Sequence, residues 1–469
     1  MKKKLKLLVL IVLLIPFIFT SCNKNKEKKA KYVFLMIGDG MGLSQSLLAE
    51  NYLDAISKDT SSIHLDFLKM PISGYASTHS ANSLITCSAA SGTALATGFK
   101  TNNGMLGVKP DTTNLTAISK TLHNNGYLVG IITNVSLDHA TPGAFYANSS
   151  SRSNYDHIAK QISDSEFEYF GGGYFLGTLF DSTVSDYLKS KNYSLVNNID
   201  QIKKHNLEDS KLIAYSNIVG KSMDIPYVID MPNHSMNLPY FVKKGIDLFE
   251  PSGKNFFMMI EGGKIDWACH SNDAATTIHE VISFNEAYKY VYDFYQRHPD
   301  ETLIIMTADH ETGGLALGKS EMGYSLKPQL LQYQKISEWE FNFLADSLIK
   351  EKVDLNTMYQ YIENLFGFNN GVEELYLTKN DSLRINNLYN HKIKLELSDD
   401  INLKYDDKNN NTIASLCVQI LAEKAGIGWT TEAHSGIAVP VRAIGCGAEN
   451  FNGYIDNTDI PKFIMHIAK

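Results

Sequence analysis

Four short runs of nearly uninterrupted apolar residues constrain this chain most: Tyr32 to Ile37, Tyr127 to Thr133, Asn255 to Ile260 and Thr302 to Thr307. Each is too short for a buried helix and has no polar face, so each reads as a strand covered on both sides. Parallel neighbours of that kind need helical crossovers. The sequence supplies them in Leu115 to Asn125, capped by Gly126, and in a long segment from Ala274 to about Arg297, with Pro299 as its stop. The fold expected is α/β, a doubly wound, mostly parallel central sheet with helices on both faces. Asp39, Glu261, Asp309 and His310 each follow directly on one of these runs. The carboxyl ends of strands in such sheets form the ligand crevice, so these distant residues should converge at one edge.

The chain has 469 residues, 44% hydrophobic and 20% charged, a balance that supports a large core and excludes disorder. Lys2, Lys3, Lys4 and Lys6 precede the apolar run Leu7 to Phe19, which contains Pro16 and leads into Ser21-Cys22. That order is a secretory signal's, and the run is short for a membrane span. Small residues before a cysteine resemble a bacterial lipoprotein cleavage site. Residues 1–21 are therefore expected to be a signal peptide, with Cys22 as the lipidated first residue. The chain would be exported and anchored to a bacterial membrane, facing the periplasm or the cell surface. Residues 22–30 read as a polar tether, and 31–469 as one catalytic unit.

The net charge is −8, and loss of the leader would remove four lysines and leave the chain more acidic still. This excludes nucleic acid as a specific partner. An anionic small substrate would need its positive field supplied locally, by metals or a placed arginine. Cys87, Cys269, Cys417 and Cys446 could pair in three ways or remain thiols. The tyrosine- and asparagine-rich stretch from about 319 to 411 reads as an inserted cap- or crown-like subdomain. It holds two helical stretches, one N-capped by Ser337 with Glu340 three residues on, the other around Leu355 to Phe366. It would serve as a lid or a partner surface.

Asp266 and His270 are four residues apart, so one helical turn puts both on one face, a pairing that suits zinc. Asp309-His310 is a second carboxylate–imidazole pair, and His434 a further imidazole late in the chain. Each pair alone would more often be a surface ion pair or a satisfied core histidine. Two pairs and a third histidine favour metals. The run Thr86 to Ala94 is dense in small hydroxyl and methyl side chains. At a helix start its hydroxyls would meet free N–H groups that favour an anion, although such runs often serve only close helix packing.

Taken in order, Gly38-Asp39-Gly40-Met41-Gly42, Thr86 to Thr93, His139-Ala140-Thr141-Pro142, Ser151-Arg152, Glu261 through His270, Thr307 to Thr312 and His434 resemble the alkaline phosphatase family. The resemblance implies a phosphomonoesterase acting on small phosphate monoesters through a covalent phosphoserine at Ser88, with two Zn²⁺ and one Mg²⁺. It implies that Asp39, Asp309 and His310 hold one zinc and Asp266, His270 and His434 the other. Thr141 and Glu261, with Asp39 bridging, would hold the magnesium, and Arg152 would grip two phosphate oxygens. It also suggests a homodimer.

Three positions depart from that pattern. Cys87 stands where many relatives carry an aspartate that orients the arginine, so Arg152 is expected to be held more loosely. His139 stands where some relatives place an aspartate, and Trp267 where relatives vary. Both are expected to tune phosphate affinity and the third metal, or simply to pack. The competing readings are a phosphodiesterase or nucleotide pyrophosphatase of the same superfamily, and a catalytically dead metal-stabilised binding lipoprotein. Thr141, Glu261 and Arg152 speak against the first, and the intact constellation against the second. A sulfatase is excluded, because Ala89 and Ser91 follow Cys87 where its motif needs Pro and Arg.

Overall fold

The computed structural model describes residues 29–57, 63–177, 182–397 and 412–468. The expected signal peptide, Cys22 and residues 398–411 of the expected insertion lie outside these. The strands are β1 (Tyr32–Ile37), β2 (Ile72–Ser77), β3 (Leu128–Thr133), β4 (Tyr169–Gly172), β5 (Tyr193–Val196), β6 (Lys211–Tyr215), β7 (Phe256–Glu261), β8 (Thr302–Thr307), β9 (Glu311–Thr312), β10 (Ala316–Leu317), β11 (Ile427–Gly428), β12 (His434–Ser435), β13 (Val439–Gly445) and β14 (Gly453–Asp456). Ten form one sheet in the order β14-β2-β13-β8-β1-β7-β3-β4-β6-β5, and β9/β12 and β10/β11 form two small antiparallel pairs. In the large sheet only β13 runs against its neighbours.

The centre of the sheet follows from side-chain chemistry. All six residues of β1 are buried, and it lies between β7 and β8, equally apolar strands paired parallel to it. Helices flank the sheet; the long helix Ala274–Arg297 packs on helices Leu238–Phe249 and Leu43–Ile56. Asp273 caps that long helix by accepting from Thr276 N at 3.0 Å. The chain is held from Ala30, which is buried and donates to Ile467 O at 3.1 Å.

Several boundaries differ from the sequence expectation by one to three residues, two of them with a clear physical reason or consequence. The first crossover helix starts at Ile118, because its preceding residues turn back in hydrogen bonds of their own, such as Leu115 N to Gly107 O at 2.8 Å. Strand β7 runs one residue further, so Glu261 ends the strand instead of following it. After β10, helices Glu338–Lys350, Leu355–Phe366 and Lys379–Leu397 pack on helix Ile413–Ala425. Phe341, Phe366 and Phe368 are fully buried there, and Ser337 caps its helix by accepting from Glu340 N at 3.1 Å. Cys87, Cys269, Cys417 and Cys446 form no disulfide with one another. Among the described residues no helix is long and apolar enough to cross a membrane.

Candidate metal and phosphate site

Strand register builds the site. Thr133 of β3 pairs with Glu261 of β7, Glu261 with Ile37 of β1, and Ile37 with Thr307 of β8. Four strands therefore end in one row, and Asp39 and Asp309, each two residues past its strand, emerge side by side. Gly40 makes the turn: its φ is +69°, its N–H donates to Asp309 Oδ1 at 3.2 Å, and a Cβ there would lie 2.9 Å from Asp266. Only glycine satisfies both demands. The β12/β9 pair sets His434 opposite Thr312, and helix Lys264–His270 carries Asp266 and His270 on one face.

Ser88 opens the helix Ser88–Thr97, with Cys87 as its extended N-cap, so the hydroxyl lies beside unpaired backbone N–H groups. The run of small residues also serves packing, since a Cβ on Gly92 would lie 3.3 Å from Ala144 Cβ. Ser91 Oγ donates to Asp309 O at 2.5 Å and locks the helix to the end of β8.

Hydrogen-bond direction shows what the imidazoles offer. His270 Nδ1 lies 2.5 Å from Glu432 O and His434 Nδ1 2.8 Å from Thr86 O. A carbonyl only accepts, so both rings carry a proton on Nδ1 and turn Nε2 toward the site. Those two Nε2 atoms face each other at 3.2 Å, and Asp266 oxygens lie 3.3 Å and 3.7 Å from them. His310 repeats the pattern. Thr312 Oγ1 donates to Asp266 Oδ1 at 2.5 Å and so accepts from His310 Nδ1 at 3.2 Å. His310 Nε2 is thereby bare, 3.1 Å from Asp309 Oδ2, 3.5 Å from Asp39 Oδ1 and 3.2 Å from Ser88 Oγ.

Lone pairs and carboxylates gathered this closely repel one another without a cation. Asp39 Oδ1, Asp309 Oδ2, Glu261 Oε1 and His139 Nδ1 are buried with no hydrogen-bond partner. Burial pushes the Asp39 carboxyl well above its ordinary range, reinforced by Asp309, Asp266 and Glu261. Burial likewise pushes Glu261 and Asp309 up to about 7, and pushes His310 well down. For Asp266 burial acts upward, but the bond to His270 and the imidazoles around it hold it below the carboxylate range. His270 is opposed by burial yet raised to about 9 by Asp266. Ligand atoms close within 4.8 Å in three groups: Asp39, Asp309 and His310; Asp266, His310 and His434; and Asp39, His139 and Glu261. The donor set fits bound metal ions.

The sequence-predicted residues thus come together at one sheet edge. Thr141 Oγ1 donates to Asp39 Oδ2 at 3.3 Å. Arg152 Nη2 donates to His139 Nε2 at 3.2 Å, and the Trp267 ring meets His139 edge-on at 5.7 Å. Burial, with Arg152 beside it, holds His139 down at about 3, a neutral ring suited to accept. Cys87 Sγ accepts from Gly104 N at 3.1 Å. Sequence reasoning did not single out Thr133, which donates to Glu261 Oε2, or Gln45, which donates to Glu311 Oε1 at 2.7 Å. Thr133 ends a strand in the same row as Glu261, so the strand-end rule covered it.

A buried helix-borne serine among metal-ready ligands, with an arginine nearby, suits phosphoryl transfer, and comparison with known proteins agrees. The family model described as alkaline phosphatase matches residues 30–469. The chain is 28% identical to alkaline phosphatase 4 of Bacillus subtilis, covering 92% of this chain and 88% of that one. It is similar in structure to the cold-active alkaline phosphatase of a psychrophilic Shewanella, with 28% identity, a TM-score of 0.78, and 93% and 100% of the two chains covered. The Thermus thermophilus alkaline phosphatase shares the fold, at 22% identity and a TM-score of 0.75, covering 96% of this chain and 94% of that one. The chain belongs to the alkaline phosphatase family. It is a phosphatase.

Proposed function

We propose that this chain hydrolyses small phosphate monoesters through a phosphoserine at Ser88, with two Zn²⁺ and one Mg²⁺ bound. Asp39, Asp309 and His310 would hold one zinc, Asp266, His270 and His434, whose facing atoms lie 3.2 to 3.7 Å apart, the other, and Asp39, Thr141 and Glu261 the magnesium, with His139 in reach of that third site. Bound there, the cations supply concentrated positive charge for a phosphate dianion that an acidic chain otherwise lacks.

The observation that carries the reading is Ser88 Oγ, buried in the first helical turn and 3.2 Å from a deprotonated His310 Nε2. Ser88 Oγ gives up its proton and bonds to phosphorus as the bond from phosphorus to the ester oxygen breaks, and the alcohol leaves protonated. Water then attacks phosphorus, the Ser88 Oγ–phosphorus bond breaks, a proton given up by the water returns to Ser88 Oγ, and inorganic phosphate departs. N–H groups at the helix start and the Arg152 guanidinium donate to the non-bridging oxygens. A monoester dianion presents more charge to that arginine than a diester, so Thr141, Glu261 and Arg152 together support a monoesterase. Export, a lipid anchor at Cys22 and assembly as a homodimer belong to the same proposal.

Trapping the protein with phosphate at acidic pH and mapping its peptides by mass spectrometry should place the phosphoryl group on Ser88. Label on Thr86 or Ser91, with Ser88 unmodified, would defeat the assignment.

A further inference from the structure

Arg152 has no carboxylate partner among the described residues, and Cys87 is engaged with Gly104 N. Its guanidinium is instead set by the His139 ring, and the features behind that ring point to what fixes it. Trp267 meets His139 edge-on at 76°. Behind Trp267 lies Lys264, whose Nζ is 4.8 Å from the Trp267 ring and 3.7 Å from that of Tyr227. Lys264 is only 2% exposed and forms an ion pair with Asp224, which is 5% exposed.

The pair is itself immobilised. On either side of Asp224, Tyr174 N donates to Met223 O at 2.7 Å and Ile225 N to Asn134 O at 2.9 Å. Lys264 N donates to Asn134 Oδ1 at 3.1 Å, and Asn134 Nδ2 donates to Glu280 Oε2 at 3.1 Å. A desolvated ammonium attracts an aromatic face strongly, and with Asp224 holding its position it gives the indole one preferred placement.

We infer that the buried Lys264–Asp224 pair is a positioning device for phosphate binding: it fixes Trp267, Trp267 fixes His139, and His139 aims Arg152. In this chain it takes the place of a carboxylate beside the arginine. The inference rests on the proposed phosphate-gripping role of Arg152. Neither Lys264 nor Asp224 touches the substrate, so the effect belongs to KM and to inhibition by inorganic phosphate, and leaves kcat largely alone.

A kinetic cycle on the full metal-loaded enzyme, with a chromogenic monoester and inorganic phosphate as probes, tests this. Lys264→Met/Asp224→Asn removes both charges of the pair together, so neither partner is left as a lone buried ion. It should raise KM and the phosphate inhibition constant roughly 5- to 30-fold, with kcat within about threefold. In an Arg152→Ala background the same pair of changes should alter the inhibition constant less than about twofold. Lys264→Arg, which keeps the charge, should resemble the parent. Trp267→Leu cuts the same chain without touching the ion pair and must weaken phosphate binding in the same way. This arm decides the matter if the paired variant does not fold. An unchanged inhibition constant in the paired variant or in Trp267→Leu, or equal losses with and without Arg152, overturns the inference. If Arg152→Ala alone leaves phosphate inhibition unchanged, the reading of the site fails first.

Discussion

Two clusters of buried or half-buried carboxylates occur in this molecule, and they are built on opposite plans. One is the sheet-edge site of Asp39, Glu261, Asp266 and Asp309. The other is the junction where helix Glu338–Lys350 meets the body, made by Asp230, Asp273 and Glu338. At the junction every oxygen has a donor. Asp273 accepts from Thr276 N, Thr276 Oγ1, Glu338 N and Gln334 Nε2, at 2.7 to 3.0 Å. Asp230 accepts from Ser337 N at 2.7 Å and Ser337 Oγ at 2.6 Å, and Glu338 from Ser271 Oγ at 3.1 Å and Thr412 Oγ1 at 3.3 Å. At the sheet edge, three of the four carboxylates keep an oxygen with no partner. Burial of acids is common to both, so it does not identify a metal site. What sets the sheet edge apart is that its bare oxygens gather within 4.8 Å of imidazole nitrogens, where a cation would satisfy several of them at once.

The largest expected effect breaks this comparison if it fails. Stripping divalent cations with a chelator should cost at least about 100-fold in monoesterase activity and lower the melting temperature, since ions that bind only the native state stabilise it. Zinc and magnesium together should restore both. Full activity in a preparation shown by elemental analysis to hold no metal would end the distinction between the two clusters.

The junction should respond in the opposite sense. Asp273→Ala strands several buried donors and should cost about 2–3 kcal/mol of stability, read by denaturation. Metal content per chain should not change. A fall in bound metal in the folded variant would make the junction part of the metal site.

How much of this was legible in the sequence follows from which interactions are local. Asp39 and Asp309 could be read because an apolar run that stops abruptly marks a strand end, and strand ends converge. Asp266 and His270 could be read because four residues make one helical turn. His434 owes its place to a two-residue pairing of β12 with β9, too short to leave a periodic pattern. Strands β2, β4 and β14 are rich in glycine, tyrosine or polar residues, so they lack the apolar run that marks β1, and β13 is interrupted by Pro440 and Arg442. Lys264 reads as an ordinary helix-start lysine until the fold brings Asp224 to it from forty residues away. The role of His139 as a neutral acceptor depends on its burial beside Arg152, which no spacing reveals. Local chemistry marked several candidate ligands, the family resemblance added others, and long-range packing determined what holds them.

The smallest effect sharpens the comparison most finely, because it asks whether a donor-satisfied acid still carries the cost of burial. Burial pushes the Asp230 carboxyl up to about 6, against the pull of its two bonds from Ser337 and with help from Glu340 and Asp273. Between about pH 4 and pH 6 the folded chain therefore keeps a proton that the unfolded chain has released. The folded pKa is the higher one, so this contribution to stability is fully present below about pH 4 and is lost as pH rises through 6. Its size should be about 1–2 kcal/mol once partial solvent access is allowed for. Asp230→Asn is neutral throughout and should not lose it. Denaturation midpoints of parent and variant, taken at matched metal concentration at pH 4.5, 6 and 7.5, should show the variant gaining on the parent as pH rises. A difference that stays flat across that range would mean that the Ser337 donors fully offset burial at Asp230. The junction would then be neutral in its pH response as well as complete in its hydrogen bonds, and the contrast with the sheet edge would be wider than drawn.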